Sequence, residues 1–144
     1  MNSFFALEAF RKVADLNYNQ WELRLAAQIS TEFAFKAFDS ITDDRYTEEE
    51  LQYAPTIDNT FAFQAFEKIK EGDGAYQMWE IKWAAEVSNP YALESFKMVA
   101  DEGYREWELR WASAMDSQRK VNLVRNLRRQ GSYTQAQLRA IAEL

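Results

Sequence analysis

Three glutamates, Glu22, Glu80 and Glu108, stand at matching places in this chain and have the best claim to acid–base chemistry in a sequence with no histidine and no cysteine. A carboxylate serves as general acid or base when its surroundings bring its pKa near the working pH. Each of the three also falls where the third residue of a helix would sit, and there a glutamate satisfies a free backbone N–H of the helix end. End-capping is enough to account for them. The missing cysteine removes disulfides, thiolate zinc sites and thiol nucleophiles; the missing histidine removes the commonest metal ligand and general base near neutral pH. The sequence has no glycine-rich phosphate loop, no nucleophile beside a base and no ligand cluster spaced for a metal. No catalytic residue, cofactor or metal site is therefore expected.

Binding is the other chemistry on offer, and tryptophan, tyrosine and arginine are its commonest hot spots. Trp107 and Trp111, four residues apart, form a ridge displaced from the apolar centre of Leu109, Ala112 and Met115. Trp79 with Trp83 repeats it, and Trp21 with Leu25 and Glu49 with Tyr53 are weaker versions. With Lys82 and Arg110 alongside, the candidate binding set is Trp21, Tyr53, Trp79, Lys82, Trp83, Trp107, Arg110 and Trp111. The competing use is structural, since large indoles fill gaps between stacked helices.

The elements that must hold these residues form a repeat. Phe5-Ala6-Leu7-Glu8-Ala9-Phe10 recurs as Phe33-Ala34-Phe35-Lys36-Ala37-Phe38, Phe61-Ala62-Phe63-Gln64-Ala65-Phe66 and Tyr91-Ala92-Leu93-Glu94-Ser95-Phe96, at offsets of 28, 28 and 30. On a helical wheel the first block places Phe5, Ala6, Ala9, Phe10 and Val13 on one face, opposite Glu8, Arg11 and Lys12. Two residues before each leading aromatic stands Ser3, Thr31, Asn59 or Asn89, all good caps, and Pro90 sits in a first turn where its missing N–H costs nothing. This is helix A of each unit.

Helix B is announced by Tyr18, Tyr46, Tyr76, Tyr104 and Tyr133, each followed five residues later by Leu23, Leu51, Ile81, Leu109 or Leu138, the spacing of a hydrophobic staple. The cap positions between them hold Asn19, Thr47, Gln77, Arg105 and Thr134, so the full capping box is expected for Thr47 with Glu50 and Thr134 with Gln137, and only part of it at Gln77 and Arg105. Pro55 should end or kink the second helix of unit two early. One hairpin cannot hide its own apolar face, so neighbouring pairs must stack. The fold expected is all-α, an α-solenoid of about five antiparallel two-helix repeats with a 28–30 residue period, in one domain over 1–144 with repeats near 2–30, 31–58, 59–88, 89–117 and 118–144.

Glu108-Leu109-Arg110-Trp111-Ala112-Ser113-Ala114 and Glu22-Leu23-Arg24-Leu25-Ala26-Ala27 resemble the second helix of short HEAT-like repeats of the phycobilisome-lyase type. That resemblance implies a ladder of ion pairs between a turn Asp and a helix-B Arg. Asp15 with Arg24, Asp73 with Lys82, and Asp101 with Arg110 stand nine residues apart, whereas Asp43 has Gln52 and Arg139 has Gln130. The family also places the B helices on its concave surface, which would present the tryptophan ridge. The aromatic load is high and turn glycines are mostly missing, so the likeness supports fold better than function.

Residues 1–116 hold 11 Lys/Arg against 22 Asp/Glu, a net charge of −11, whereas residues 117–144 hold 6 against 1, a net of +5. An acidic body disfavours phosphate backbones; the basic segment from Arg119 to Arg129 suits a closing helix that offers charge to acidic neighbours. The leading expectation is a non-catalytic protein–protein interaction module, an adaptor or inhibitor, gripping a protein or peptide on its helix-B face. The alternative is an acidic inhibitor of a nucleic-acid-binding protein acting by charge mimicry, as small phage-encoded anti-defence proteins do. A HEAT-like DNA glycosylase is a minor third reading, implied by the resemblance and opposed by the charge. No membrane partner is expected. An uncapped end of the stack leaves a route to homo-oligomers, and the opening Met1 to Lys12 has no basic segment before its apolar stretch, so a cytoplasmic location is expected.

Overall fold

The computed structural model describes residues 4–14, 18–43, 46–71, 77–101 and 103–144. Among the described residues there are ten α-helices and no strand, so the protein is all-α. They are α1 Phe4–Ala14, α2 Gln20–Ala26, α3 Glu32–Thr42, α4 Glu48–Leu51, α5 Thr60–Lys70, α6 Met78–Ala85, α7 Pro90–Val99, α8 Glu106–Ala112, α9 Gln118–Arg129 and α10 Gln135–Ala142, with a 3₁₀ turn at Ala54–Thr56. None of these helices is long and apolar enough to cross a membrane.

The helix starts follow from side chains that satisfy backbone donors. Thr31, Asn59 and Asn89 adopt extended backbone and accept the N–H of Ala34, Ala62 and Ala92 at 3.1, 2.9 and 2.9 Å. Ser3, expected to do the same for α1, lies outside the described residues. Ser117 caps α9 through Lys120 N–H at 3.3 Å. Pro55 has the expected effect: α4 stops at Leu51 and the chain passes into the 3₁₀ turn, leaving a helix of 4 residues where α6 has 8. At the far end α9 closes on Gly131, whose φ of 99° lies in the left-handed region that an L side chain resists.

Packing follows chain order. α1 lies on α2, α3 on α4, α5 on α6, α7 on α8 and α9 on α10. The first helices also touch in succession, α1 with α3, α3 with α5, α5 with α7 and α7 with α9, and the second helices do likewise from α2 to α10. Small side chains permit this closeness: Ala6, Ala34, Ala62 and Ala92 are fully buried, as are Ala26, Ala54, Ala84 and Ala112. Between them Phe38, Phe66 and Phe96 are at most 1% exposed, each contributing roughly 2–3 kcal/mol of apolar burial. A smaller cluster of Met115, Val124, Leu127 and Leu138, covered by Trp107, Trp111 and Ile141, joins α9 and α10 to α8. Arg125 of α9 meets Glu94 of α7 at 2.7 Å, so the basic segment gives charge to an acidic neighbour.

Candidate functional site

Glu22, Glu80 and Glu108 cap helices, and they also join them. Oε1 of Glu22, Glu80 and Glu108 accepts the backbone N–H of Asn19, Gln77 and Arg105 at 2.7, 2.8 and 3.0 Å. This half of the capping box needs only a backbone donor, which explains why Gln77 and Arg105 are tolerated at the cap. The second oxygen is used elsewhere. Oε2 of Glu22 accepts the hydroxyl of Tyr46, Oε2 of Glu80 that of Tyr104 at 2.5 Å, and Oε2 of Glu108 that of Tyr133 at 2.5 Å. Each tyrosine comes from the next helix pair. Glu22 and Glu80 are only 4% and 8% exposed, and a carboxylate can be buried this far because both oxygens are bonded. Burial and then the carboxylate hydrogen bond raise the hydroxyl pKa of Tyr46 and Tyr104; the same causes push that of Tyr133 up to about 12, with Arg128 pulling the other way.

The tyrosine rings decide what half of the tryptophan ridge does. Tyr46 stands edge-on to Trp21, Tyr104 to Trp79 and Tyr133 to Trp107, with ring centroids 6.1, 6.2 and 5.9 Å apart and interplanar angles of 78°, 87° and 89°. Trp21, Trp79 and Trp107 are therefore half-buried packing elements between successive pairs. Tyr53 is half-buried in the turn that follows α4, off the helix on which the sequence pattern put it.

Trp83 and Trp111 are also half-buried against the core, and in addition cations lie over their faces. Lys82 Nζ is 4.8 Å from the centroid of the Trp83 ring. Arg110 Cζ stands 5.9 Å from Trp83 and 4.7 Å from Trp111, and Arg139 Cζ stands 5.7 Å from Trp111. The result is an alternating series, Lys82, Trp83, Arg110, Trp111 and Arg139, running across α6, α8 and α10. Each contact of this kind at a partly exposed site is worth about 0.5–1 kcal/mol. Glu106 accepts the Trp83 indole N–H at 3.2 Å, and Glu143 pairs with Arg139 at 2.6 Å. Lys82 and Arg110 form no ion pair among the described residues.

Of the expected Asp-to-Arg ladder, the rung between Asp101 and Arg110 takes another form. Asp15 and Asp73 lie outside the described residues. Asp101, expected opposite Arg110, is instead held by Lys68 of α5 at 2.8 Å, while Arg110 turns to the indoles. That contact lowers the Asp101 pKa and raises that of Lys68. Asp43 is held in the same manner by Lys12 of α1, and Arg24 pairs with Glu48 of α4. The acids after α3 and α7 thus both face the preceding pair, where the adjoining first helix offers each a lysine.

Two features go beyond what the sequence pattern predicts, the tyrosine-to-glutamate bonds and the cation stack. A signal for the first was present, since Glu22 to Tyr46 and Glu80 to Tyr104 are both 24 residues apart. The local pattern by itself predicts only a staple for these tyrosines. For chemistry, no group of three acidic residues able to hold a metal occurs among the described residues. Comparison of this chain with known protein families, with characterised proteins and with solved structures finds no match in any of the three.

Proposed function

We propose that the chain is an α-solenoid of about five HEAT-like helix pairs which, without catalysis, acts as an adaptor or inhibitor by holding a protein partner on its helix-B face. The solenoid reading draws support from packing that follows chain order, each pair against its neighbours. One observation carries the binding reading: the series Lys82, Trp83, Arg110, Trp111 and Arg139 across three B helices. A guanidinium laid on an indole has already lost much of its rotamer freedom, so binding costs less ordering entropy. Its outward N–H edge stays available to a carboxylate. The partner this suits presents acidic side chains beside apolar ones, in a cytoplasmic setting.

The test uses a partner captured by the intact chain, purified, and titrated by tryptophan fluorescence. Its affinity for a Lys82→Ala/Arg110→Ala chain should fall at least about tenfold, with an unchanged circular dichroism spectrum. Equal affinity for both proteins would remove the helix-B face from the account. Charge mimicry by the acidic body is the second reading, favoured by the net charge of −11 over residues 1–116. It loses weight to the pairs that tie Asp43 to Lys12, Asp101 to Lys68 and Glu94 to Arg125. A complex that survives about 0.5 M salt speaks against it, because exposed charges are then screened within a few ångströms.

A further inference from the structure

We infer, resting on the helix-B reading above, that this face takes a phosphorylated side chain of its protein partner, with the phosphate held between Lys82 and Arg110. Arg24, Gln52, Lys82, Arg110 and Arg139 are register-equivalent and form one row across the five B helices. The first residue of the following B helix can neutralise a member of that row, as Glu48 of α4 does for Arg24 of α2. For Lys82 the equivalent residue is Glu106, and for Arg110 it is Gln135. Glu106 instead accepts the Trp83 indole N–H at 3.2 Å, and Gln135 carries no charge. Arg139 is matched within its own helix by Glu143, and Gln52 is neutral. Lys82 and Arg110 are thus the cations of this row that form no ion pair among the described residues. They also converge, since Lys82 Nζ and Arg110 Cζ stand 4.8 and 5.9 Å from the centre of the same Trp83 ring.

Two like charges beside one indole repel each other until an anion joins them. A carboxylate brings a single charge and neutralises one of the pair. A phosphate monoester carries about −1.5 to −2 at pH 7 with three strong acceptor oxygens. Two of those oxygens match the planar fork of Arg110, and the third is free for the ammonium of Lys82. Trp83 and Trp111 hold the guanidinium on their faces, which lowers the ordering cost of binding. A nucleic acid fits less well than one phosphorylated residue. Glu49 of α4 and Glu86 at the end of α6 are exposed, and residues 1–116 carry a net charge of −11. A run of phosphates would meet those acids, whereas a single phosphate meets only the cations. The row crosses helices packed roughly 8–10 Å apart, so the phosphorylated residue belongs to an extended segment laid over them.

The probe is a synthetic peptide of alanine and glycine with one central phosphoserine, titrated into the full chain in a phosphate-free buffer. Binding is read from the indole N–H resonances of Trp83 and Trp111 in the nitrogen-15-labelled protein. The phosphopeptide should shift both and bind at least about tenfold more tightly than peptides with one glutamate or two adjacent glutamates in place of phosphoserine. Between pH 7.5 and 5.5 its affinity should fall about fourfold, because the second ionisation of the phosphate lies near 6, while that of the glutamate peptides holds. Arg110→Lys, which keeps the charge and loses the fork, should weaken phosphopeptide binding about tenfold, and Lys82→Ala/Arg110→Ala should abolish it. Circular dichroism establishes that each variant is folded. No shift at about 10 mM phosphopeptide, equal binding of a glutamate peptide, or indifference to Arg110→Lys would overturn the inference. So would a single-stranded decanucleotide that shifts the same indoles at lower concentration, since the ligand would then be a nucleic acid. If the phosphopeptide fails while Lys82→Ala/Arg110→Ala still weakens a captured partner, this inference falls and the helix-B reading stands; a captured partner indifferent to that change removes the helix-B reading itself.

Discussion

Replacing Glu80 with alanine removes two bonds at once, and their separate sizes can be worked out. Oε1 satisfies the Gln77 N–H at the start of α6, and Oε2 receives the Tyr104 hydroxyl from the next pair. Loss of a helix cap costs about 1 kcal/mol. Loss of a hydrogen bond to a charged group in a part-buried setting costs about 2 kcal/mol. Glu80→Ala should therefore destabilise the protein by about 3 kcal/mol, a fall of about 1.5 M in the urea midpoint at an m-value near 2 kcal/mol/M. Tyr104→Phe should cost about 2 kcal/mol, and Glu80→Gln, which keeps an acceptor for the cap, about 1–2 kcal/mol. In a double-mutant cycle, Glu80→Ala and Tyr104→Phe share the bond between pairs, so their coupling should be about 2 kcal/mol. Urea unfolding followed by far-ultraviolet circular dichroism supplies the four stabilities. A coupling below about 0.5 kcal/mol, or a Gln variant as unstable as the Ala variant, would refute the claim that one carboxylate both caps and joins.

The tyrosines also set an alkaline limit. Their pKa is raised in the fold above the ordinary 10, so the stabilisation is complete below about pH 10 and is lost as pH climbs through the folded values, about 12 for Tyr133. The thermal midpoint should fall across that window, and Tyr133→Phe should lessen the fall; an identical pH profile for the variant would show that Tyr133 has no part in it. Gly131→Ala should cost about 1–2 kcal/mol through backbone conformation alone, since a Cβ at that φ of 99° meets no atom within 4 Å. A thermal midpoint unchanged from that of the unaltered protein would contradict the left-handed closure of α9.

The sequence alone determined whatever rests on a residue and its near neighbours along the chain. Apolar spacing marked the helices, and Thr31, Asn59 and Asn89 announced their starts because each bonds a backbone N–H three residues on. Pro55 shortened α4 through its own ring and missing donor. Tertiary structure decided everything that depends on which helix faces lie opposite each other. It split the tryptophan pairs, giving Trp79 and Trp107 to the tyrosines of following pairs and Trp83 and Trp111 to cations. It gave Asp101 to Lys68, 33 residues away, although Arg110 is only nine along the chain. Spacing along a helix states which side chains share a face, but the partner of that face is set by the lateral packing of separate helices, and no local periodicity encodes it.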